Sequence, residues 1–168
     1  MVTLENNYIA VDIDEKYGGK ITRLENKISE YNWVWFNNEK RKDFNPVEYS
    51  DYDSQWIGGY EELFPNDKIE SFNGDLAPDH GELWSSKWEI VDEHNDSLRL
   101  CCKGYFSESV IQKTFKLQEN KVKVNYEINN IKLDKFLFKL HLAMPINKTS
   151  LEFKFTSFKK VDKKFGNI

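Results

Sequence analysis

Apolar and polar residues alternate with period two through most of the 168-residue chain, and no long stretch carries helical period. The first element this predicts is a hairpin in which residues 2–4 turn at Asn6-Asn7 into residues 8–13. Gly18-Gly19 then opens a strand over residues 20–24, and residues 33–36 form another short apolar run. Much later, residues 88–91 lead through the turn Glu93-His94-Asn95-Asp96 into residues 98–105. A second hairpin pairs residues 109–117 with residues 121–128 around Glu119-Asn120. In its returning strand Val122, Val124, Tyr126 and Ile128 share one face, and Lys121, Lys123, Asn125 and Glu127 share the other, the mark of a half-buried antiparallel strand. Phe136, Phe138, Leu140 and Leu142 repeat the pattern, and Leu151, Phe153 and Phe155 repeat it again. Regularly spaced strands with hairpin turns predict an all-β fold, an antiparallel β-sandwich rather than a βαβ fold.

Between residues 37 and 87 the alternation lapses, and three of the four prolines fall there. A loop region that long inside a compact domain is usually functional or disordered. Tyr49, Tyr52, Trp56, Tyr60, Phe64, Phe72 and Trp84 argue against disorder, because disordered segments are poor in aromatics. The expectation is one domain over residues 1–168, with a long loop region at about 37–87. A chain of this length buries roughly 70% of its unfolded surface, enough for a core without staples.

Composition sharpens this picture in three ways. A net charge of -4 argues against a general nucleic-acid binder. Residues 43–96 carry fifteen Asp or Glu against Lys68 and Lys87, whereas residues 97–168 carry fifteen Lys or Arg against six acids. One reading is that strand-rich segments carry lysines on their wet faces, where they limit edge pairing; the other is that the middle segment is an acidic, Trp-bearing loop region built to engage something polar. Cys101 and Cys102 are adjacent, so on a strand they face opposite ways and are poorly placed to bridge each other, which fits a reducing compartment. Nothing in the opening residues reads as a signal peptide, and no stretch approaches the roughly 20 apolar residues that span a bilayer. A cytoplasmic protein with no membrane partner is expected.

Three histidines carry the candidate chemistry. His94 falls in a predicted turn and reads as surface. His80 stands in Pro78-Asp79-His80-Gly81-Glu82-Leu83-Trp84, where a neighbouring carboxylate can tune the imidazole for acid or base work and the glycine permits close approach. His141 lies on a predicted strand, sharing a face with Leu137, Lys139 and Ala143 opposite the row Phe136, Phe138, Leu140 and Leu142. One of those faces is expected to be core and the other surface or cleft. Asp79, His80 and Glu82 lack the paired His or Cys spacing of zinc sites, so no metal is expected. No phosphate-binding glycine loop and no Gly-x-Ser-x-Gly elbow occurs, and the cysteines sit mid-strand.

Taken together, Gly58-Gly59-Tyr60-Glu61-Glu62-Leu63-Phe64-Pro65-Asn66, then Ala77-Pro78-Asp79-His80-Gly81-Glu82-Leu83-Trp84 and Trp88, resemble the aldose 1-epimerase (galactose mutarotase-like) family. Gly18-Gly19-x-Ile21-x-x-Leu24 is similar to the family's opening strand, and the resemblance runs from about residue 8 to 145. It implies a sugar cleft on a β-sandwich. In that cleft a glutamate takes the anomeric proton while a histidine donates to the ring oxygen, so no cofactor is needed. By this resemblance His80 and His141 are the catalytic histidines, although the family reads His-Pro where this chain has His141-Leu142. Trp56, Tyr60 and Trp84 would offer flat faces to a monosaccharide or sugar phosphate, and Asp79, Glu61 and Glu82 would take its hydroxyl hydrogen bonds. Family members are much longer, their catalytic glutamate lies in the C-terminal part, and no residue here maps onto it. The resemblance therefore implies the N-terminal half of a sandwich, with an exposed edge that self-association or a second chain would cover. Three readings follow: a sugar-binding mutarotase-like protein lacking the base, an active aldose 1-epimerase completed by a second chain, and an interaction domain with a vestigial cleft.

Overall fold

A computed structural model describes residues 1–145. The strands are β1 (Val2–Glu5), β2 (Ile9–Asp14), β3 (Lys20–Asn26), β4 (Tyr31–Asn32), β5 (Tyr60–Leu63), β6 (Ser71–Phe72), β7 (Asp75–Leu76), β8 (Glu89–His94), β9 (Ser97–Lys103), β10 (Val110–Gln118), β11 (Lys121–Asn129) and β12 (Lys139–Leu142). A single helical turn, α1 (Tyr52–Gln55), lies before β5. Every pairing is antiparallel. One sheet runs β1-β2-β3-β5-β12 with β4 beside β3; a second runs β11-β10-β9-β8; β6 and β7 form a small ribbon.

The two large sheets pack face to face because each is apolar on one side. Leu4, Val11, Ile13 and Ile21 from the first meet Leu98, Leu100, Cys102, Ile111, Phe115 and Leu117 from the second, with Phe64, Leu83 and Trp88 closing the interior. A smaller cluster of Phe44, Tyr52, Ile57, Leu63 and Trp84 lies apart from this core. Residues of β5 divide between the two: Tyr60 packs on the main core and Leu63 in the smaller cluster, as alternation on a strand requires. The first hairpin, the strand after Gly18-Gly19 and the run β8 to β11 match the sequence expectations, except that Glu93 and His94, expected in a turn, continue β8 and leave only Asn95-Asp96 between it and β9. In β11 the face bearing Val122 to Ile128 is half-buried while Lys121 and Lys123 are exposed, as the alternation predicts. Cys101 is half-buried and Cys102 buried, both as free thiols.

Three expectations need correction. Residues 33–36 are not a strand: β4 ends at Asn32, and Phe36 makes only an isolated bridge to Gly58. Trp33 and Trp35, about 40% exposed, are aromatic surface rather than sheet core. The region 37–87 holds β5, which escapes detection because three of its four residues are buried, leaving no alternation to read. The row Phe136, Phe138, Leu140 and Leu142 is neither all strand nor all core. β12 begins only at Lys139, and Leu140 pairs with Glu62 and Leu142 with Tyr60, on the core side of the sheet. Of that row Phe138 packs on the core, against Phe64 and Tyr126, and Phe136 touches Phe64 edge-on at 5.6 Å. Phe136, Leu140 and Leu142 are exposed, because the second sheet ends before β12 among the described residues. Leu151, Phe153 and Phe155 lie outside the described residues. No helix of the described chain is long and apolar enough to cross a membrane.

Candidate functional site

The site is assembled from three parts of the chain around Glu61. In β5, Glu61 points away from the sandwich interior, and β12 sets His141 directly opposite it in the antiparallel register. Cross-strand partners share a face, so His141 and Glu61 meet on the cleft side. The third part is α1, capped by Asp51, whose Oδ1 accepts from the Ser54 N–H at 2.8 Å. Tyr52 opens that turn and Trp56 follows it, four residues on, so both reach the same carboxylate.

Glu61 is fully buried and saturated with donors. Lys20, itself buried, gives its ammonium to Oε2 at 2.6 Å. The Tyr52 hydroxyl donates to Oε1 at 2.5 Å, and the Trp56 indole N–H donates to the same oxygen at 3.2 Å. Burial by itself would raise the carboxyl pKa, but the Lys20 charge and the hydrogen bonds from His141, Lys20 and Tyr52 bring it down to about 2. Burial and the Glu61 charge push the Tyr52 phenol far above its ordinary value, so it keeps its proton. The phenol oxygen also lies 2.7 Å from His141 Nδ1.

His80 reaches the same tyrosine from the opposite direction. Its ring stacks on Tyr52 at 4.0 Å between centroids and 15° between planes, while Nδ1 lies 2.9 Å from Asp79 Oδ1. The second Asp79 oxygen accepts the Tyr52 backbone N–H at 3.2 Å. The turn that sets this up is tightly constrained. His80 has φ +58° and Gly81 φ +75°, and a Cβ on Gly81 would sit 2.2 Å from the Phe64 carbonyl oxygen. Only glycine fits there. The Glu82 N–H donates to that same carbonyl at 2.7 Å, and Asn66 Nδ2 donates to Pro78 O at 2.6 Å, pinning the turn to the end of β5. Aromatic rings line the rest. Trp56 stacks on His141 at 5.6 Å and 15°, and Trp35 lies tilted against Trp56 at 5.6 Å and 33°.

Of the residues singled out in the sequence, Trp56, Glu61, Asp79, His80 and His141 come together here. Trp84 supports the site from below: it is buried, touches Tyr52 edge-on, and donates its indole N–H to Asp79 O at 3.1 Å. Tyr60 and Glu82 lie elsewhere. Tyr60 faces the main core, with its hydroxyl 3.1 Å from that of Tyr126. Glu82 is turned inward, accepting the Phe106 N–H at 2.6 Å and the Ser107 hydroxyl at 2.6 Å, where Gly104 leaves it room. Burial raises its pKa against those hydrogen bonds. His94 is exposed, beside Asp92. Among the described residues no group of His, Cys, Asp and Glu is arranged to hold a metal ion.

Tyr52, Lys20 and Trp35 belong to the site or its rim but went unremarked as functional in the sequence. Lys20 stands at the mouth of a strand, where a lysine reads as solvent-facing. Tyr52 sits in a stretch without periodicity. Only the local signal Asp51-x-x-Ser54, a capping pattern, marks the helical turn that carries it.

No protein-family model matches the sequence, and no curated protein matches it. Solved structures do match the fold. A galactose mutarotase related enzyme from Lactobacillus acidophilus aligns with a TM-score of 0.55 at 18% identity, over 76% of this chain and 42% of its own. A putative aldose 1-epimerase from Escherichia coli K12 aligns with a TM-score of 0.56 at 17% identity, over 76% and 45%. A putative mutarotase from Salmonella typhimurium gives 0.52 at 13% identity, over 76% and 42%. The chain thus has a galactose mutarotase-like, antiparallel β fold, and spans less than half the length of these structures.

Proposed function

We propose that the chain is a carbohydrate-binding, mutarotase-like protein that takes an aldose or related sugar, free or phosphorylated, between His80, His141 and the Trp35–Trp56 edge. One observation carries the reading: two histidines sixty-one positions apart are brought to the same tyrosine, one stacked on its ring and one bonded to its hydroxyl. A sugar offers the complementary surface, hydroxyls for the polar groups and C–H faces for the indoles. The fold shared with mutarotase-related structures supports this choice of ligand class. Proton removal from an anomeric hydroxyl is a separate matter. Glu61 is held ionised with a pKa of about 2 and its oxygens are already occupied, which makes it a weak base at neutral pH.

The second reading, an aldose 1-epimerase completed by a second chain or a second copy, is favoured by the exposed apolar residues Leu140 and Leu142 on β12, the edge strand of its sheet among the described residues. Saturation-transfer NMR against a panel of hexoses and hexose phosphates tests the first reading: transfer to one or more sugars is expected, and silence across the panel removes it. Polarimetry on freshly dissolved α-glucose and α-galactose tests the second, which fails if mutarotation runs at the buffer rate.

A further inference from the structure

The hydrogen-bond chain through Tyr52 has a direction, and the direction fixes a proton on His141. A phenol carries one hydrogen. Ionised Glu61, held by Lys20 at 2.6 Å, can only accept, so the Tyr52 hydrogen points at its Oε1, 2.5 Å away. The phenol oxygen then has only lone pairs left for His141 Nδ1 at 2.7 Å, and that nitrogen must donate. His80 obeys the same logic by a shorter route. Its Nδ1 faces the Asp79 carboxylate at 2.9 Å and must also carry hydrogen. Neither Nε2 has a hydrogen-bond partner among the described residues.

We propose that Tyr52 is a positioning residue that locks His141 in the Nδ1–H tautomer, so that both cleft histidines, when neutral, present Nε2 as a bare acceptor. Two unrelated sequence segments thereby reach the same chemical state, one through a carboxylate directly and one through a carboxylate relayed by a phenol. The ligand class this selects is one that gives hydrogen bonds rather than receives them at these two points. That part rests on the sugar reading: two hydroxyl groups of one sugar fit, and a carbonyl or ether oxygen at either position does not unless the imidazole first gains a proton. Tyr52 couples the pair mechanically as well, since its ring also bears the His80 stack and its N–H holds Asp79.

The test is long-range ¹H–¹⁵N correlation on the full chain with labelled histidine, recorded at a pH where the imidazoles are neutral. The expected spectrum shows, for both His80 and His141, a pyrrole-type Nδ1 and a pyridine-type Nε2. A wild-type protein whose His141 is protonated at Nε2 overturns the proposal without any variant. Tyr52→Phe removes the nearer acceptor, leaving Glu61 Oε1 at 3.5 Å from Nδ1 as a long contact, and should turn His141 into a tautomer mixture or the Nε2–H form while His80 keeps its pattern. If His141 keeps the Nδ1–H form in a folded Tyr52→Phe protein, Tyr52 is not the positioning residue. In the binding arm, Tyr52→Phe should weaken a hexose that binds by about tenfold, the value of one good hydrogen bond. Replacing the sugar's hydroxyls one at a time by methoxy groups should lose binding at two positions. Should no sugar bind while the tautomers are as stated, the sugar reading fails and the Tyr52 assignment stands. Should sugars bind with the tautomer reversed, the assignment fails and the sugar reading stands.

Discussion

Glu61 and Glu62 are neighbours on one strand, each fully buried and each 2.6 Å from the ammonium of a buried lysine, yet they do different work. Glu62 faces the sandwich interior. Its Lys113 partner also donates to Gly18 O and lies 4.2 Å from the Trp88 ring centroid, and Tyr126 donates to its other oxygen at 2.5 Å. That network ends on the hydroxyls of Tyr126 and Tyr60, half-buried rings on the sandwich side of the sheet. Glu61 faces the cleft, and its network ends on His141, whose side chain is 37% exposed. The same chemical unit, a buried Glu–Lys pair with a tyrosine donor, ends inside the sandwich in one case and on a partly exposed imidazole in the other.

The most forceful way to break this comparison is to remove one partner from the closed network. Lys113→Ala strands Glu62 in the interior and should cost about 3–5 kcal/mol in denaturant unfolding. Lys20→Ala should cost less, because Glu61 keeps Tyr52 and Trp56 as donors and stands beside the cleft. Equal losses would mean that the cleft-side pair is as structural as its neighbour.

Next in size is Glu82, expected in the sequence to touch ligand and found anchoring the segment at residues 105–107 to the site loop. Glu82→Ala leaves the Phe106 N–H and the Ser107 hydroxyl without their acceptor and should lower stability by about 1–3 kcal/mol. Sugar binding by the folded fraction should stay within about twofold, measured at a temperature well below the melt, since a change of only a few tenths of a kcal/mol is expected away from the cleft. Loss of binding in a folded Glu82→Ala protein would restore it to the site.

The acid limb of stability reports on Glu61. Glu61 has its folded pKa lowered to about 2 from 4.5, so its contribution is complete above pH 4.5 and is lost as pH falls towards 2. Melting temperature should fall across that window, and Glu61→Gln should flatten the fall while lowering the plateau at neutral pH. An unchanged acid limb in Glu61→Gln would show that Asp12 and Glu15, whose pKa values are also lowered in the fold, dominate it.

What the sequence revealed follows from where its signals lie. Strands with one wet face were legible, because alternation reports a buried side and an exposed side; β9, β10 and β11 are of this kind. Strand β5 was not, because both its faces are covered and both of its buried central residues, Glu61 and Glu62, are charged. His80 and His141 could be singled out as residue types, but their meeting depends on the β5–β12 register and on a helical turn, neither of which has a periodic signature. Tyr60 and Glu82 illustrate the opposite error. Tyr60 is next to Glu61 and Glu82 two residues from His80, yet alternation in one case and an inward turn in the other send the side chain to a different neighbourhood.

The smallest stability effect is expected on the edge strand. Leu140 and Leu142 lie on the core side of the sheet but are 48% and 38% exposed, with no strand of the second sheet above them among the described residues. A side chain in that state contributes little to folding of the single chain, so Leu140→Lys with Leu142→Lys should change stability by no more than about 0.5 kcal/mol for each substitution in dilute solution. What the pair should change is association. If a copy or a second chain packs on this row, sedimentation at high concentration should show a mass above that of one chain for the wild type, falling to one chain in the double lysine variant. A wild type that sediments as a single chain at every concentration excludes a second copy on the row. A double variant that instead loses several kcal/mol at low concentration would place the row inside the chain's own core, and β12 would then differ from the open edge on which the two-chain reading depends.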